Sequence, residues 1–434
     1  MPSSPTILHT LPAGPERPAV QVRQAGDHQI LVEYGEMEVD LRLNFRVHAL
    51  RQALANDPVD GVLETAPGFR SMMVTFDPAR IPRTRLLEEV IARERAAPDL
   101  DSLVLPSRRL TMPIAFDDEM TREAVKRYRI TTRNDAPNVA VGDNIDYIVR
   151  YNGFTNREEF FARFLATTWW NAFIGYFPGL PSLFALDPLT QISVPKYNPA
   201  RMWTAEGAVG IGGPCVVLYP VESPGSYQLF GRTLPLWNHD FTGSDCRTAD
   251  SAPATVAARS NLFQVGDRVT FTRVTEKELL TERLRVFEGT YEYRIEEDEF
   301  VVADYLDQVG RRAGAAPALA ARRRGAPAPG GGAAGAAPAR RRRAQGGREP
   351  GDGAVSARTA LEIIDPGLQT TVQAWPGRQG LTSLGYFPAG PMDHLSLRAA
   401  NVLVGNPAGA PALEVPKIGI SVAFLIDTQI AVAA

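Results

Sequence analysis

The chain has 434 residues, 44% of them hydrophobic, and a formal net charge of −3. That length allows two or three domains with real cores, and a mildly acidic balance argues against nucleic acid as the main partner. Two cysteines, Cys215 and Cys246, are too few for a disulfide framework, lie in no Cys/His cluster and fit a reducing compartment. The N-terminus MPSSPTILHTLPAGPERP lacks a basic start followed by an apolar run, and no 18-residue apolar stretch follows. A cytoplasmic protein without a membrane span is therefore expected.

In chain order, residues 1–17 read as a flexible Pro-rich tail and 18–106 as a small α+β domain. VQVRQAGDHQILVEYG alternates like two strands about Gly26-Asp27, and Leu43, Val47, Leu50 and Leu54 mark one helix face. GVLETAPGFRSMMVTFD predicts two more strands and Thr84 to Ala96 a second helix, an order that suggests a ferredoxin-like layer. From Arg108, RRLTMPIAF predicts a strand, Asp117 to Tyr128 a helix, and Thr155 to Glu158 a capping box ahead of Phe160, Phe161 and Phe164. FQVGDRVTFTRVT and EGTYEYRI predict further strands, so 107–305 reads as a mainly β barrel or sandwich with few helices. Residues 306–358, rich in Ala, Gly, Pro and Arg, read as a disordered linker. Gly310 to Ser356 alone holds ten arginines against Glu349 and Asp352, a nuclear-localisation or anion-surface patch at its sharpest and a bland linker otherwise. Order is expected again over 359–434.

The stretch from Asn171 to Asn238 is dense in Gly, Pro and aromatics with isolated cations between them, a composition suited to rigid loops around a small ligand. Its blocks GYFPGLPSL, PKYNPAR, EGAVGIGG and YPVESPGSYQLFGRTLPLWN resemble the first half of the carboxyltransferase domain of urea carboxylase and urea amidolyase. VRQAGDHQILVEYG and FRVHAL upstream, and PGLQTTVQ, GPMD and NVLVGN downstream, extend the resemblance over about Val20–Ala303 and again from Leu361. Gly175-Tyr-Phe-Pro-Gly179 and Gly385-Tyr-Phe-Pro-Ala-Gly390 look like equivalent loops of a duplicated fold. The resemblance implies a cyclophilin-like β-barrel for 107–305 and a truncated second one for 359–434. It also implies transfer of a carboxyl group from carboxybiotin to urea, giving allophanate. Biotin would come from a carrier domain and ATP would act only through a separate biotin carboxylase module, since neither motif is in the chain. The isolated chain's own activity stays open, and a homo-oligomer is compatible with the sequence.

Such a reaction needs groups to bind a small planar amide, to take a proton from its nitrogen and to stabilise charge on the ureido oxygen. Lys196, Arg232 and Asp393 are the catalytic candidates, Asp393 as a base with a raised pKa among Gly390, Pro391 and Met392, or simply as a helix cap. Arg232 either clamps a carboxylate or ties loops through carbonyls. Tyr176, Arg201, Tyr219, Ser223, Gln228, Gln369, Gln373 and Glu414 are the substrate-binding candidates, with Glu222 and Asn406 weaker. Gly179, Gly212, Gly231 and Gly390 are candidate loop glycines. The histidines, His239 and His394 among them, show no metal spacing, and Gly207 to Gly213 lacks the GK[ST] of a phosphate loop, so no metal or nucleotide site is expected. Two other functions fit related sequences: a subunit of an ATP-dependent 5-oxoprolinase, and a non-enzymatic regulator related to histidine-kinase inhibitors.

Overall fold

The computed structural model describes residues 6–14, 17–237, 261–312, 361–415, 417 and 419–433. They fall into two compact units, Met1–Pro327 with Gln379–Phe387, and Ala328–Arg378 with Pro388–Ala434. The architecture is mixed α/β and rich in sheet.

The first unit opens with strands β1 (Ile7–Leu11), β2 (Val20–Gln24), β3 (Gln29–Tyr34), β4 (Val62–Pro67) and β5 (Ser71–Phe76), antiparallel in the order β1-β2-β3-β5-β4. Helix α1 (Leu41–Asn56) follows β3, and α2 (Arg83–Ala96) follows β5. Strand alternation sets the core face: Ile30, Val32 and Tyr34 are buried while Gln29, Leu31 and Glu33 between them are less so. The stretch expected to be a loose tail thus supplies an edge strand, because Ile7–Leu11 finds backbone partners in Val20–Arg23 despite its flanking prolines.

Helix α1 is buried on two sides. Leu43, Val47, Leu50 and Leu54 enter the core of this first sheet, as their spacing predicts. Leu41, Phe45 and Ala49 face a second core with Trp170, Ala172 and Phe300. Asn44 accepts a hydrogen bond from the Trp170 indole at 2.7 Å and donates to the Phe69 carbonyl at 2.7 Å, and His48 Nε2 lies 3.1 Å from the Ala172 carbonyl. Burial first, then the neighbouring Arg51 charge, push the His48 imidazole down to about 4 from an ordinary 6.5. The unfolded chain therefore takes up this proton before the folded one does as pH falls. Stability from this group is complete above about pH 6.5 and is lost towards about pH 4, by about 3 kcal/mol at most. Guanidinium titrations of His48→Gln are expected to show a flatter profile across that window.

The larger sheet contains β6 (Val104–Phe116), β7 (Trp169–Ile174), β8 (Pro181–Ala185), β9 (Ala208–Gly212), β10 (Cys215–Leu218), β11 (Gln228–Arg232), β12 (Arg268–Arg273) and β13 (Arg294–Val301), in the order β11-β9-β10-β8-β7-β12-β6-β13. Its first strand returns to its seventh: Gly231 and Arg232 of β11 pair with Phe116 and Ala115 of β6, so the sheet closes on itself. Among the described pairings of this sheet only β6–β12 is parallel. Strand β6 runs unbroken through the boundary expected at residue 106, since its first half pairs with β13 and its second with β12. Adjacent tryptophans of β7 point to opposite faces: Trp169 packs with Phe164, Phe230 and Phe271, and Trp170 with Phe45 and Phe300.

Helices are more numerous here than expected: α3 (Glu119–Thr131), α4 (Asn144–Asn152), α5 (Arg157–Leu165), α6 (Glu276–Phe287) and α7 (Val302–Arg312). The cap of α5 is Asn156, which accepts from Glu159 N, one residue later than the predicted Thr155 box; Glu158 instead pairs with Arg273. Capping boxes form at Asp143/Asp146 and Thr275/Glu278. The strand expected at EGTYEYRI begins only at Arg294, and α7 occupies the start of the expected linker. The rest of that linker lies largely outside the described residues.

The second unit pairs β14 (Leu361–Asp365) with β17 (Ser421–Phe424) and β15 (Thr371–Gln373) with β16 (Ala412–Glu414), beside helix α8 (His394–Leu403). On α8 only Leu397 and Asn401 are buried.

Candidate active site

Gly175–Gly179 joins β7 to β8 at the Ile174 end of the sheet; Tyr219–Tyr227 leaves β10 at that same end and runs back to the Gly212 end before β11, where Pro195–Arg201 meets it. A buried amide network fixes the last two segments. Gln228 donates to the Pro195 carbonyl at 2.8 Å and accepts from Asn138 at 3.1 Å. Asn144 accepts from the Tyr197 hydroxyl at 2.8 Å and from Leu229 N at 3.0 Å. Arg201 and Gly225 exchange backbone hydrogen bonds at 2.8 and 3.0 Å.

Lys196 projects from this frame. It is exposed, its Nζ stands 4.9 Å from the centre of the Tyr227 ring, and among the described residues no carboxylate pairs with it. Its stem crosses Gly212, where an added Cβ would come within 2.9 Å of Lys196 Cγ and 2.8 Å of Tyr227 Cδ1. Gly212→Ala is therefore expected to displace both side chains and to cost about 1–3 kcal/mol, read as a lowered thermal midpoint. Beneath Tyr227, Cys215 is buried and its thiol is pushed up to about 11, so it stays protonated at neutral pH.

Tyr176 tops the Gly175–Gly179 loop. It is 63% exposed, packs edge-on against Phe177 at 4.8 Å, and has φ of 77°, a left-handed conformation that bulky residues avoid at a cost of about 1–3 kcal/mol. The second Gly-Tyr-Phe block meets the first at this point. Gly179 N donates to the Leu384 carbonyl at 2.8 Å, Thr382 Oγ1 donates to Glu64 at 2.6 Å, and the Tyr386 ring stands edge-on to Trp237 at 5.8 Å.

Several expected ligand-binding side chains are buried or hold the scaffold together. Arg201 is only 1% exposed; its guanidinium donates to the Tyr227 carbonyl and to Thr204 Oγ1 and lies 4.5 Å over the Tyr197 ring, so it positions the Lys196 loop. Tyr219 is buried, its pKa raised first by that burial and partly offset by the Arg201 charge. Gln228 is consumed by the amide network. Ser223 is buried, and its hydroxyl has no partner among the described residues. Arg232 donates to the Glu206 carbonyl at 2.8 Å, the loop-tying role. It sits at the other end of β11 from Tyr227, roughly 15 Å away at strand spacing, beside Arg283, whose own pKa burial and then the Arg232 charge lower to about 10. Gly231 lies at the seam where β11 meets β6.

In the second unit, Asp393 is exposed and caps α8, accepting from Leu395 N and Ser396 N at 3.0 Å and from Ser396 Oγ at 2.6 Å. The Ser396 hydroxyl, with the helix amides, holds its carboxyl below the usual range. The raised pKa expected from its Gly, Pro and Met neighbours is thus overturned, because capping hydrogen bonds favour the charged form. Gln369 is exposed, Gln373 donates to Thr371 Oγ1 at 3.1 Å, and Glu414 accepts from Met392 N at 2.7 Å in the turn that also holds Gly390. Asn406 donates to Asn401 Oδ1 at 3.3 Å, and His394 stacks on Trp375 at 4.4 Å. His239 lies outside the described residues.

Asn138 and Asn144 were not singled out from sequence. Their partners lie 90 and 53 residues away, and no local pattern marks them.

The description "Carboxyltransferase domain, subdomain C and D" matches residues 20–244, and "Carboxyltransferase domain, subdomain A and B" matches 384–434. The chain is 32% identical to a putative urea carboxylase of Emericella nidulans over 74% of this chain and 26% of that protein. It is 24% identical to a 5-oxoprolinase component of Bacillus subtilis over 59% of this chain and 94% of that one. The crystal structure of Kluyveromyces lactis urea carboxylase superposes with a TM-score of 0.64 at 28% identity, covering 87% of this chain and 32% of that chain. The chain thus spans about a quarter of the Emericella relative and about a third of the Kluyveromyces structure. With a domain match over more than half its length and both subdomain types represented, the chain belongs to the carboxyltransferase-domain family of urea carboxylase, urea amidolyase and the 5-oxoprolinase components.

Proposed function

We propose that this chain is the carboxyltransferase part of a biotin-dependent urea carboxylase, producing allophanate from urea. Its closed sheet is then a cyclophilin-like barrel, its N-terminal layer a ferredoxin-like domain whose outer strand comes from upstream, and its second unit part of another such barrel. The observation that carries this reading is Lys196, an exposed ammonium without an acidic partner among the described residues, held over Tyr227 by a buried amide network. A lone cation beside aromatic faces and Gly-rich backbone suits a carboxylated ureido group, so the residues fit biotin. Carboxybiotin, brought by a separate carrier and recharged by a biotin carboxylase with ATP, supplies the carboxyl group. Lys196 stabilises negative charge as it develops on the ureido oxygen, Tyr176 covers the reacting groups, and Arg201, Gln228 and Asn144 keep the loop from yielding.

Mixing the chain with the biotin carboxylase and carrier of a urea carboxylase, ATP and bicarbonate tests the reading. ADP release that rises with urea is expected; release indifferent to urea overturns it. One observation favours a second reading: the match to the Bacillus 5-oxoprolinase component runs nearly that protein's full length. ATP turnover dependent on 5-oxoproline, with the partner components present, would select it.

A further inference from the structure

Beside Gly179, three buried polar atoms meet without partners among the described residues: Trp237 Nε1 and both Nδ2 and Oδ1 of Asn261. Asn261 is 7% exposed, so its carboxamide is withdrawn from water with none of its hydrogen bonds made among the described residues. Trp237 and Asn261 face one another across an antiparallel bridge, which sets their side chains next to each other. Gly179, with φ of 74°, backs both: a Cβ there would lie 2.8 Å from Asn261 Oδ1 and 3.3 Å from Trp237 Cζ2. Tyr386 forms the opposite wall against the Trp237 ring.

An orphaned buried amide costs about 1–3 kcal/mol, and an apolar residue of the same shape would avoid that cost. We propose that Trp237 and Asn261 form a recognition site for a planar amide or ureido group. The indole and the amide nitrogen are donors that converge on a carbonyl oxygen, and Asn261 Oδ1 accepts from the adjacent N–H. A carboxylate offers only acceptors and would set its charge against Oδ1; an ammonium offers only donors and would leave both N–H groups unmet. An amide satisfies all three. The donor and acceptor pattern stands without the carboxyltransferase reading, but the choice between the two sources of such a group, free urea and the ureido ring of biotin, rests on it. The orphan atoms expose no surface as they stand, so a ligand enters by parting Tyr386 from Trp237.

The test uses the full chain labelled with ¹⁵N. Its five tryptophans give five indole N–H resonances, and Trp237→Phe identifies one by its loss, with the other four reporting an intact fold. Urea, 2-imidazolidone as the bare ureido ring, and acetate are titrated separately. A saturable shift of the Trp237 resonance with urea alone assigns the site to substrate, with 2-imidazolidone alone to biotin, and with both to the shared chemistry; acetate is expected to leave it unmoved. Asn261→Leu is expected to abolish that shift while raising Tm by about 2 °C or more, because the orphaned amide is gone. Absence of a saturable shift with either ureido compound, an unchanged shift in Asn261→Leu, or a lowered Tm in that variant would overturn the proposal. Failure of urea-dependent turnover with the Trp237 shift intact would sink the transfer reaction but not the site; turnover undiminished in Asn261→Leu would sink the site but not the reaction.

Discussion

Replacing Lys196 with methionine is expected to lower urea-dependent carboxyl transfer about 100- to 1,000-fold, the usual cost of removing one group that stabilises developing negative charge. Methionine keeps an unbranched stem across Gly212 and over Tyr227, so the loss reports the ammonium rather than the packing. Because that charge grows only as the carboxyl leaves, kcat should fall with little change in KM for urea. Lys196→Arg should restore part of the rate, since it keeps the cation but alters its geometry. The exposed position predicts an unchanged thermal midpoint for both variants. A Lys196→Met protein that transfers carboxyl at the wild-type rate would make the lysine an ordinary surface cation.

A second large effect belongs to stability. Arg46 and Glu94 form an ion pair in which neither side chain is more than 4% exposed, and Tyr34 donates to the other Glu94 oxygen at 2.6 Å. Arg46 also donates to the carbonyl of Pro98. Burial, and then the Glu94 charge, raise the Tyr34 pKa, so the phenol remains a donor. Glu94→Ala leaves a buried guanidinium without its carboxylate and a buried hydroxyl without its acceptor. It is expected to destabilise the protein by about 3–5 kcal/mol, measured by guanidinium denaturation. The double variant Arg46→Met with Glu94→Leu should recover most of that loss, because the desolvated charges vanish together. A Glu94→Ala protein within about 1 kcal/mol of wild type would contradict a fully buried pair.

What the sequence made legible follows from the range of the forces involved. Leu43, Val47, Leu50 and Leu54 announce α1 because a helix face repeats locally. The same helix's second face, with Asn44, Phe45 and His48, was invisible, since its meaning depends on Trp170 and Ala172 more than 120 residues later. The strand Ile7–Leu11 was hidden by prolines around it and revealed only by its pairing with β2. At the candidate site, glycines and aromatics marked the loops, but not which cation stays free. Lys196 and Arg201 share one loop and look alike in sequence. Burial against Tyr197, Thr204 and Tyr227 separates them, and that depends on the path of a loop about 25 residues away. Asp393 shows the opposite case: capping is a local job, and the cap was legible from the Asp directly ahead of His394–Leu403.

The most direct measurement is a single turnover. A carrier protein bearing ¹⁴C-carboxybiotin, freed of ATP and biotin carboxylase, is mixed with the chain and urea, and label in allophanate is followed with time. The expected result is label moving from carrier to urea only when the chain is present, and slowed in Lys196→Met. Label that remains on the carrier, or is lost as carbon dioxide at the same rate with and without the chain, would contradict a carboxyltransferase function.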